Sequence, residues 1–308
     1  MPSSSPAQNR TVALLCLCGA VLFWGVSFMA TKTALSGFSP MTVVWLRMVI
    51  ACFAIAPFLH LLPRPDYRPG DAKWLVIVCL LQPGVYYLAE NYAIGMTTSS
   101  QAGVISAIVP LLVALGAWIF LHEHISAKII GGIVLSMAGV VLLSVGATAA
   151  VSAPNPVLGN ALEVVAMASA AVATIALKHL ISRYNAWLLT AIQCFAGAVL
   201  FLPGALLSHP STWIAAPASA WWSVAYLGVF VSLAAFGLFN TAMAGMPASR
   251  AAIAINAVPL VALVTGWLVL SEGLTGLQVA GCVAIAIGVA LGQSGGATPE
   301  IETAMGEG

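Results

Sequence analysis

One stretch of this chain occurs twice. Residues 91–143 align without a gap on residues 240–292, and 15 of the 53 positions are identical. The shared positions include Pro110/Pro259, Trp118/Trp267, Glu123/Glu272, Gly132/Gly281 and Gly139/Gly288. Both copies lie in long apolar runs. A run of about 20 apolar residues crosses a bilayer as a helix, and the pattern gives ten: roughly 11–35, 40–62, 73–95, 98–121, 126–147, 157–180, 185–207, 219–244, 247–270 and 275–293. The duplicated unit therefore holds five spans. Five is odd, so the second copy enters the membrane from the other side. The expected fold class is an all-α integral membrane protein of ten transmembrane helices arranged as two inverted five-helix repeats, an arrangement that builds alternating sites at mid-membrane.

Composition enters because it fixes the solvent. Hydrophobic residues make up 61% of the chain and charged residues 6%, with a mean hydropathy of +1.04. Soluble domains carry about 25% charged residues. So little charge cannot cover a surface that faces water, and a lipid bilayer is the expected partner. A net charge of +1 with no basic cluster gives no sign of nucleic-acid binding. Turn residues separate the spans, among them Gly37 with Pro40, the run Pro63, Pro65, Pro69 and Gly70, and Pro154 with Pro156. Thr275 with Gln278 reads as a capping box that starts the last span. The tail, 294–308, is expected to be disordered.

Lys and Arg set the expected orientation. With the N-terminus in the cytoplasm, Arg10, Arg64, Arg68, Lys73, Lys128, Lys178, Arg183 and Arg250 all fall on that side, and the outside loops hold none. Lys32 and Arg47 lie within spans. Both termini are expected to be cytoplasmic in a cell (inner) membrane, without a cleavable signal peptide. The six cysteines fall inside apolar spans and read as small buried hydrophobes. His122-Glu123-His124 reads as a solvated turn rather than a metal site, so no metal and no cofactor is expected.

Phe23-Trp24-Gly25-Val26-Ser27-Phe28 followed by Lys32 resembles the opening signature of the drug/metabolite transporter superfamily, EamA family. Thr97-Thr98-Ser99-Ser100-Gln101-Ala102, Pro110-Leu111, Trp118, Glu123, Gly131-Gly132 and Ala138-Gly139 are similar to the rest of its repeat, and the second copy repeats the pattern through Pro259-Leu260, Trp267, Glu272, Gly281 and Gly288. The resemblance implies two EamA repeats, 11–147 and 157–293. It also implies a central cavity lined by helices 1–4 and 6–9, with export or exchange of amino acids and other small metabolites. The second half departs from the first. It has Ala170-Ala171 where the first has its aromatic opening, and Gln193 where the first has Arg47.

Ionisable groups inside hydrocarbon cost at least ~2.5–3.5 kcal/mol near the centre, so they face a wet cavity or a partner. Arg47, Glu90 and Glu163 qualify. At 1.5 Å per residue they fall in a slab roughly 10 Å thick. An Arg with two carboxylates at one depth can bind a zwitterion, and release of an Arg47–Glu90 pair would couple binding to a proton. An internal Arg47–Glu90 lock remains the alternative, as does Glu163 snorkelling outward. Asn91, Gln193, Asn240 and Asn256 can bond a ligand or a neighbouring helix. Trp24 and Tyr86 suit an apolar cavity wall. Pro110 and Pro259 occupy matching mid-helix positions and are expected as hinges, the alternative being that proline is simply tolerated in membrane helices.

The expected function is secondary active transport of a small polar metabolite. The runner-up is a nucleotide-sugar or phosphate-ester antiporter, which would want more cavity Lys or Arg. A membrane-embedded enzyme on lipid-linked substrates would need acid/base or metal groups gathered near one interface. No GxxxxGK[ST] loop is present, so ATP is not expected to drive transport directly.

Overall fold

The computed structural model describes residues 6–121, 126–147, 151–177, 179–180, 183–208, 210–245 and 257–294. Helices are the regular elements of these residues. α1 is Pro6–Ala34. α2 is Pro40–Ile55, continued by a tighter turn over Ala56–Leu61. α3 runs through Asp71–Cys79, a wide turn at Leu80–Val85, and Tyr86–Met96. α4 runs through Ser99–Ile105, a tight turn at Ser106–Ile108, and Val109–Leu121. α5 is Ala127–Val145, α6 is Pro156–Leu177 and α7 is Ala186–Leu206. α8 runs through Ala218–Tyr226, a wide turn at Leu227–Ala235, and Phe236–Gly245. α9 is Val258–Leu270 and α10 is Gly276–Ser294. The first eight each contain a stretch long and apolar enough to span a bilayer, and α9 and α10 are shorter apolar helices. The protein is thus a multi-pass helical membrane protein, as its sequence pattern implies.

The sequence explains the helix starts. Ser39 accepts from the Thr42 amide ahead of Pro40, and Asn185 accepts from the Trp187 and Leu188 amides ahead of α7. The capping box at α10 forms in both directions: Thr275 N donates to Gln278 Oε1 at 2.8 Å, and Gln278 N donates to Thr275 Oγ1 at 3.3 Å.

α5 and α10 show how the halves meet. Gly132 lies against Gly288, and Gly139 lies against Gly281. Numbers rise on one helix as they fall on the other, so the two are antiparallel. The repeat equates 132 with 281 and 139 with 288, since both differ by 149. The two contacts are therefore one contact seen from both sides, as a two-fold relation requires. Ser136 and Ile285, also 149 apart, face each other at its centre, where Ser136 Oγ donates to Ile285 O at 3.4 Å. The remaining pairings follow the same relation: α1 packs on α8 and α9, α6 packs on α3 and α4, and α2 packs on α7.

Here the face where α1 begins is called the N-terminal face. The loops before α3 and before α7 share it, joined by Arg183 and Asp71. Arg183 Nη1 and Nη2 donate to the two Asp71 oxygens at 2.7 Å each, and Tyr184 Oη donates to Asp71 Oδ2 at 3.2 Å. Burial, with its bond to Asp71, pushes the Tyr184 phenol above its usual range.

Candidate substrate site

Between the halves lies a cavity of about 150 Å³. Trp24, Ser27, Tyr86, Glu90, Ser106, Thr174, Gln193, Phe236 and Phe239 line it, with Leu177 at its end. The lining residues run from mid-depth to Leu177, where α6 ends at the N-terminal face. Buried polar residues close the opposite end. Thr97 Oγ1 donates to Asn160 Oδ1 at 2.8 Å, and Asn160 Nδ2 donates to Gln101 Oε1 and Ser144 Oγ at 3.0 Å each. Lys32 Nζ donates to Ile94 O at 2.6 Å and also to Thr97 O. Glu272 caps α4, accepting from the amides and hydroxyls of Ser99 and Ser100 at 2.7–2.9 Å. This places Glu272 in a structural role at its turn.

The cavity exists because α3 opens at its middle. Gln82 leaves helical geometry (φ −139°, ψ 107°) just before Pro83, which has no N–H to give. At membrane depth the freed carbonyls need donors, and the second half supplies them. Ser169 Oγ donates to Leu81 O at 2.9 Å, and Gln193 Nε2 donates to Gln82 O at 3.0 Å. The dipeptide Pro83-Gly84 in mid-span was the sequence signal for this break. The expected hinge prolines lie elsewhere. Pro110 follows the tight turn Ser106–Ile108 inside α4, and Pro259 sits at the start of α9.

Arg47 is 1% exposed and lies behind the cavity wall rather than in it. Its Nε donates to Ser232 Oγ at 2.9 Å, and its guanidinium carbon stands 4.3 Å from the Tyr87 ring centre. Nη1 is 3.9 Å from Glu90 Oε2, beyond hydrogen-bond reach, and has no hydrogen-bond partner. Glu90 is in the wall. Its Oε1 accepts from Tyr86 Oη at 2.5 Å, while among the described residues Oε2 has only the loose ion pair.

Of the residues the sequence singled out, Trp24, Tyr86, Glu90 and Gln193 line the cavity together. Asn91 is fully buried and turns back on its own helix, donating to Tyr87 O at 2.8 Å. Glu163 is fully buried beside the wall, which removes the snorkelling alternative, and neither carboxylate oxygen has a hydrogen-bond partner. The Asn240 side chain, Asn256, the 122–125 turn and the tail lie outside the described residues. Sequence reasoning missed Ser232 and Ser169, ordinary serines in apolar helices, and missed Phe236 and Phe239. Trp24 packs against both rings, with centroids 5.3 and 5.2 Å away. No cluster of three or more metal-ligating side chains occurs among the described residues.

The wall has a chemical bias. Its hydroxyl donors are spent, Ser27 Oγ on Trp24 O, Ser106 Oγ on Gly103 O and Thr174 Oγ1 on Ala170 O, and Gln193 Nε2 gives one bond to Gln82 O. What remains are the Glu90 carboxylate, which is the one charged group of the lining, the Gln82 side-chain amide, the Trp24 indole N–H and aromatic faces. Such a wall suits a small cation with an apolar body.

A bilayer-spanning two-fold bundle around a mid-depth cavity is the architecture of a transporter. The chain belongs to the EamA-like transporter family, which matches residues 11–145 and 157–292. It is 28% identical to an uncharacterized transporter of Archaeoglobus fulgidus over 87% of this chain and 94% of that one. It is 25% identical to a probable amino-acid metabolite efflux pump of Escherichia coli, over 92% and 93% respectively. A solved crystal structure shares the fold, with a TM-score of 0.64 at 20% identity, covering 92% of this chain and 98% of the other.

Proposed function

We propose that this protein exports small amine-bearing metabolites, amino acids and their relatives among them, by alternating access around the cavity at Glu90. The observation that carries the reading is Glu90 Oε2: among the described residues it is a carboxylate oxygen without a hydrogen bond, on the one charged side chain of a wall that is otherwise largely aromatic and apolar. A substrate ammonium pairs with Glu90, and its apolar part packs on Trp24, Phe236 and Phe239. A substrate carboxylate is met by Arg47 Nη1 once Glu90 turns toward the ammonium. The Escherichia coli relative's description as a probable amino-acid metabolite efflux pump supports this class.

With the termini in the cytoplasm, as the Lys and Arg distribution favours, the cavity reaches toward the cytoplasm and is closed outside. That is the loading state of an exporter, set in the cell membrane. A phosphate ester would meet the Glu90 carboxylate and no cationic side chain among the lining residues, so the antiporter alternative is disfavoured. The test is binding by purified protein across a panel of amines, amino acids, sugar phosphates and nucleotide sugars. Stabilisation by amines and amino acids, lost in Glu90→Gln, is expected. Stabilisation by phosphate esters alone would overturn the proposal.

A further inference from the structure

Glu163 is unused by the reading above. It sits on α6, fully buried, with both oxygens unpartnered. The ionisable groups around it are few. α6 packs on the Tyr86–Met96 part of α3, which carries Glu90 and Tyr86, and Arg47 of α2 stands behind Glu90. Neither α4 (99–121) nor α5 (127–145) carries an ionisable side chain except Lys128, which lies near the N-terminal face and is exposed. A carboxyl so placed takes either a metal cation or a proton. A desolvated metal cation needs several oxygen ligands in a shell, and no second oxygen-bearing group is bonded to Glu163. A proton needs one oxygen.

We propose that Glu163 is a proton site of the central cavity, and that its proton is exchanged for the charge of an incoming amine. The inference rests on the amine-binding reading of Glu90. Charge counting gives the stoichiometry. Arg47, Glu90 and a neutral Glu163 sum to zero. An entering monoamine adds one positive charge to a low-dielectric site, and loss of one proton restores neutrality. The O–H bond of Glu163 breaks and its proton leaves to water of the cavity. Two carboxylates then face two cations, Arg47 and the ammonium. A zwitterion brings its own carboxylate and leaves the proton in place. Proton counterflow therefore accompanies amines of net positive charge and not neutral amino acids.

Infrared difference spectroscopy on the full chain in lipid vesicles reads this directly, with leucinamide as the monoamine probe and leucine as the zwitterion. At neutral pH the wild type is expected to show the carbonyl stretch of a protonated carboxyl, and Glu163→Gln to lack it. Gln mimics the neutral acid, so this variant is expected to fold. Should it not, Glu163→Asp shifts the same band. Saturating leucinamide abolishes the band and releases about one proton per molecule bound, the count that neutrality requires. Leucine does neither. A band that is absent, that survives in Glu163→Gln, or that responds to sodium rather than pH overturns the proton site. A band that leucinamide leaves untouched while it binds overturns the exchange. Failure of leucinamide and leucine to bind at all overturns the amine reading of the cavity, and the band in ligand-free protein then still decides the proton site.

Discussion

The Arg47–Glu90 pair separates a binding site from a structural lock. At 3.9 Å and an effective dielectric of about 20, its Coulomb attraction is about 4 kcal/mol. Removing one member leaves the other buried without compensation, so Arg47→Met and Glu90→Leu alone are each expected to cost about 3–5 kcal/mol. The double variant loses both charges together. It leaves the Tyr86 hydroxyl without its acceptor, a cost of about 1 kcal/mol. The double variant should therefore lie within about 1–2 kcal/mol of wild type, with a coupling of several kcal/mol between the two changes. Thermal unfolding of the four proteins in one detergent measures this, and uptake into proteoliposomes measures transport. Stability is expected to return in the double variant while transport does not, because the ammonium partner is gone. Recovery of transport along with stability would assign the pair to a lock between α2 and α3 and refute the assignment of Glu90 to substrate.

Two further outcomes test the frame around the site. A Cβ at Gly139 would stand 2.7 Å from Gly281 O, and one at Gly281 would stand 2.7 Å from Gly139 O; Gly139→Ala and Gly281→Ala should therefore each cost about 1–3 kcal/mol by overpacking, and clearly unequal losses in thermal unfolding would contradict the two-fold packing. Gln193→Leu strips Gln82 O of its donor and should cost about 1–3 kcal/mol, whereas no change in unfolding would show that the open turn of α3 holds itself.

The number of helices, most of their boundaries among the described residues and the inversion of the two halves were legible in the sequence because each follows from local rules. Apolar length sets a span, a capping box sets a start, and an odd repeat sets inversion. The Gly132–Gly288 and Gly139–Gly281 contacts were legible in kind but not in partner, since pairing is a tertiary fact. The site was legible only in part. Charge in hydrocarbon marked Arg47, Glu90 and Glu163, yet which of them meets the cavity depends on helix rotation. Sequence periodicity does not fix rotation in helices that are apolar all round. Ser232 and Ser169 carried no signal, because serine in a membrane helix usually bonds its own backbone. Pro83-Gly84 did carry one, but matching prolines at 110 and 259 drew attention to a different helix.

The closed end of the cavity leads to the last prediction. Lys32 ties α1 to the end of α3 through two carbonyls. For the cavity to open toward that face, both bonds must break. Charge-assisted bonds contribute about 1.5–3 kcal/mol each. Loss of even one such increment and a half shifts a two-state balance by on the order of a hundredfold. Lys32→Met should therefore favour the state open away from the N-terminal face. The repeat supplies the control. Trp24 aligns with Ala170 at a separation of 146, and the same separation carries Lys32 onto Lys178. Lys178 lies outside the described residues; inversion of the repeat predicts that it acts at the opposite face, so Lys178→Met should shift the balance the other way, and the double variant should restore it. A cysteine introduced at Thr174, in the cavity wall, reports the balance through maleimide labelling from each side of oriented vesicles. Labelling from the N-terminal face should fall in Lys32→Met, rise in Lys178→Met and return to the starting level in the double variant. Shifts of the same sign in both single variants would mean that the two lysines are not equivalent gates, and that the inversion seen at α5 and α10 does not extend to the way the cavity opens.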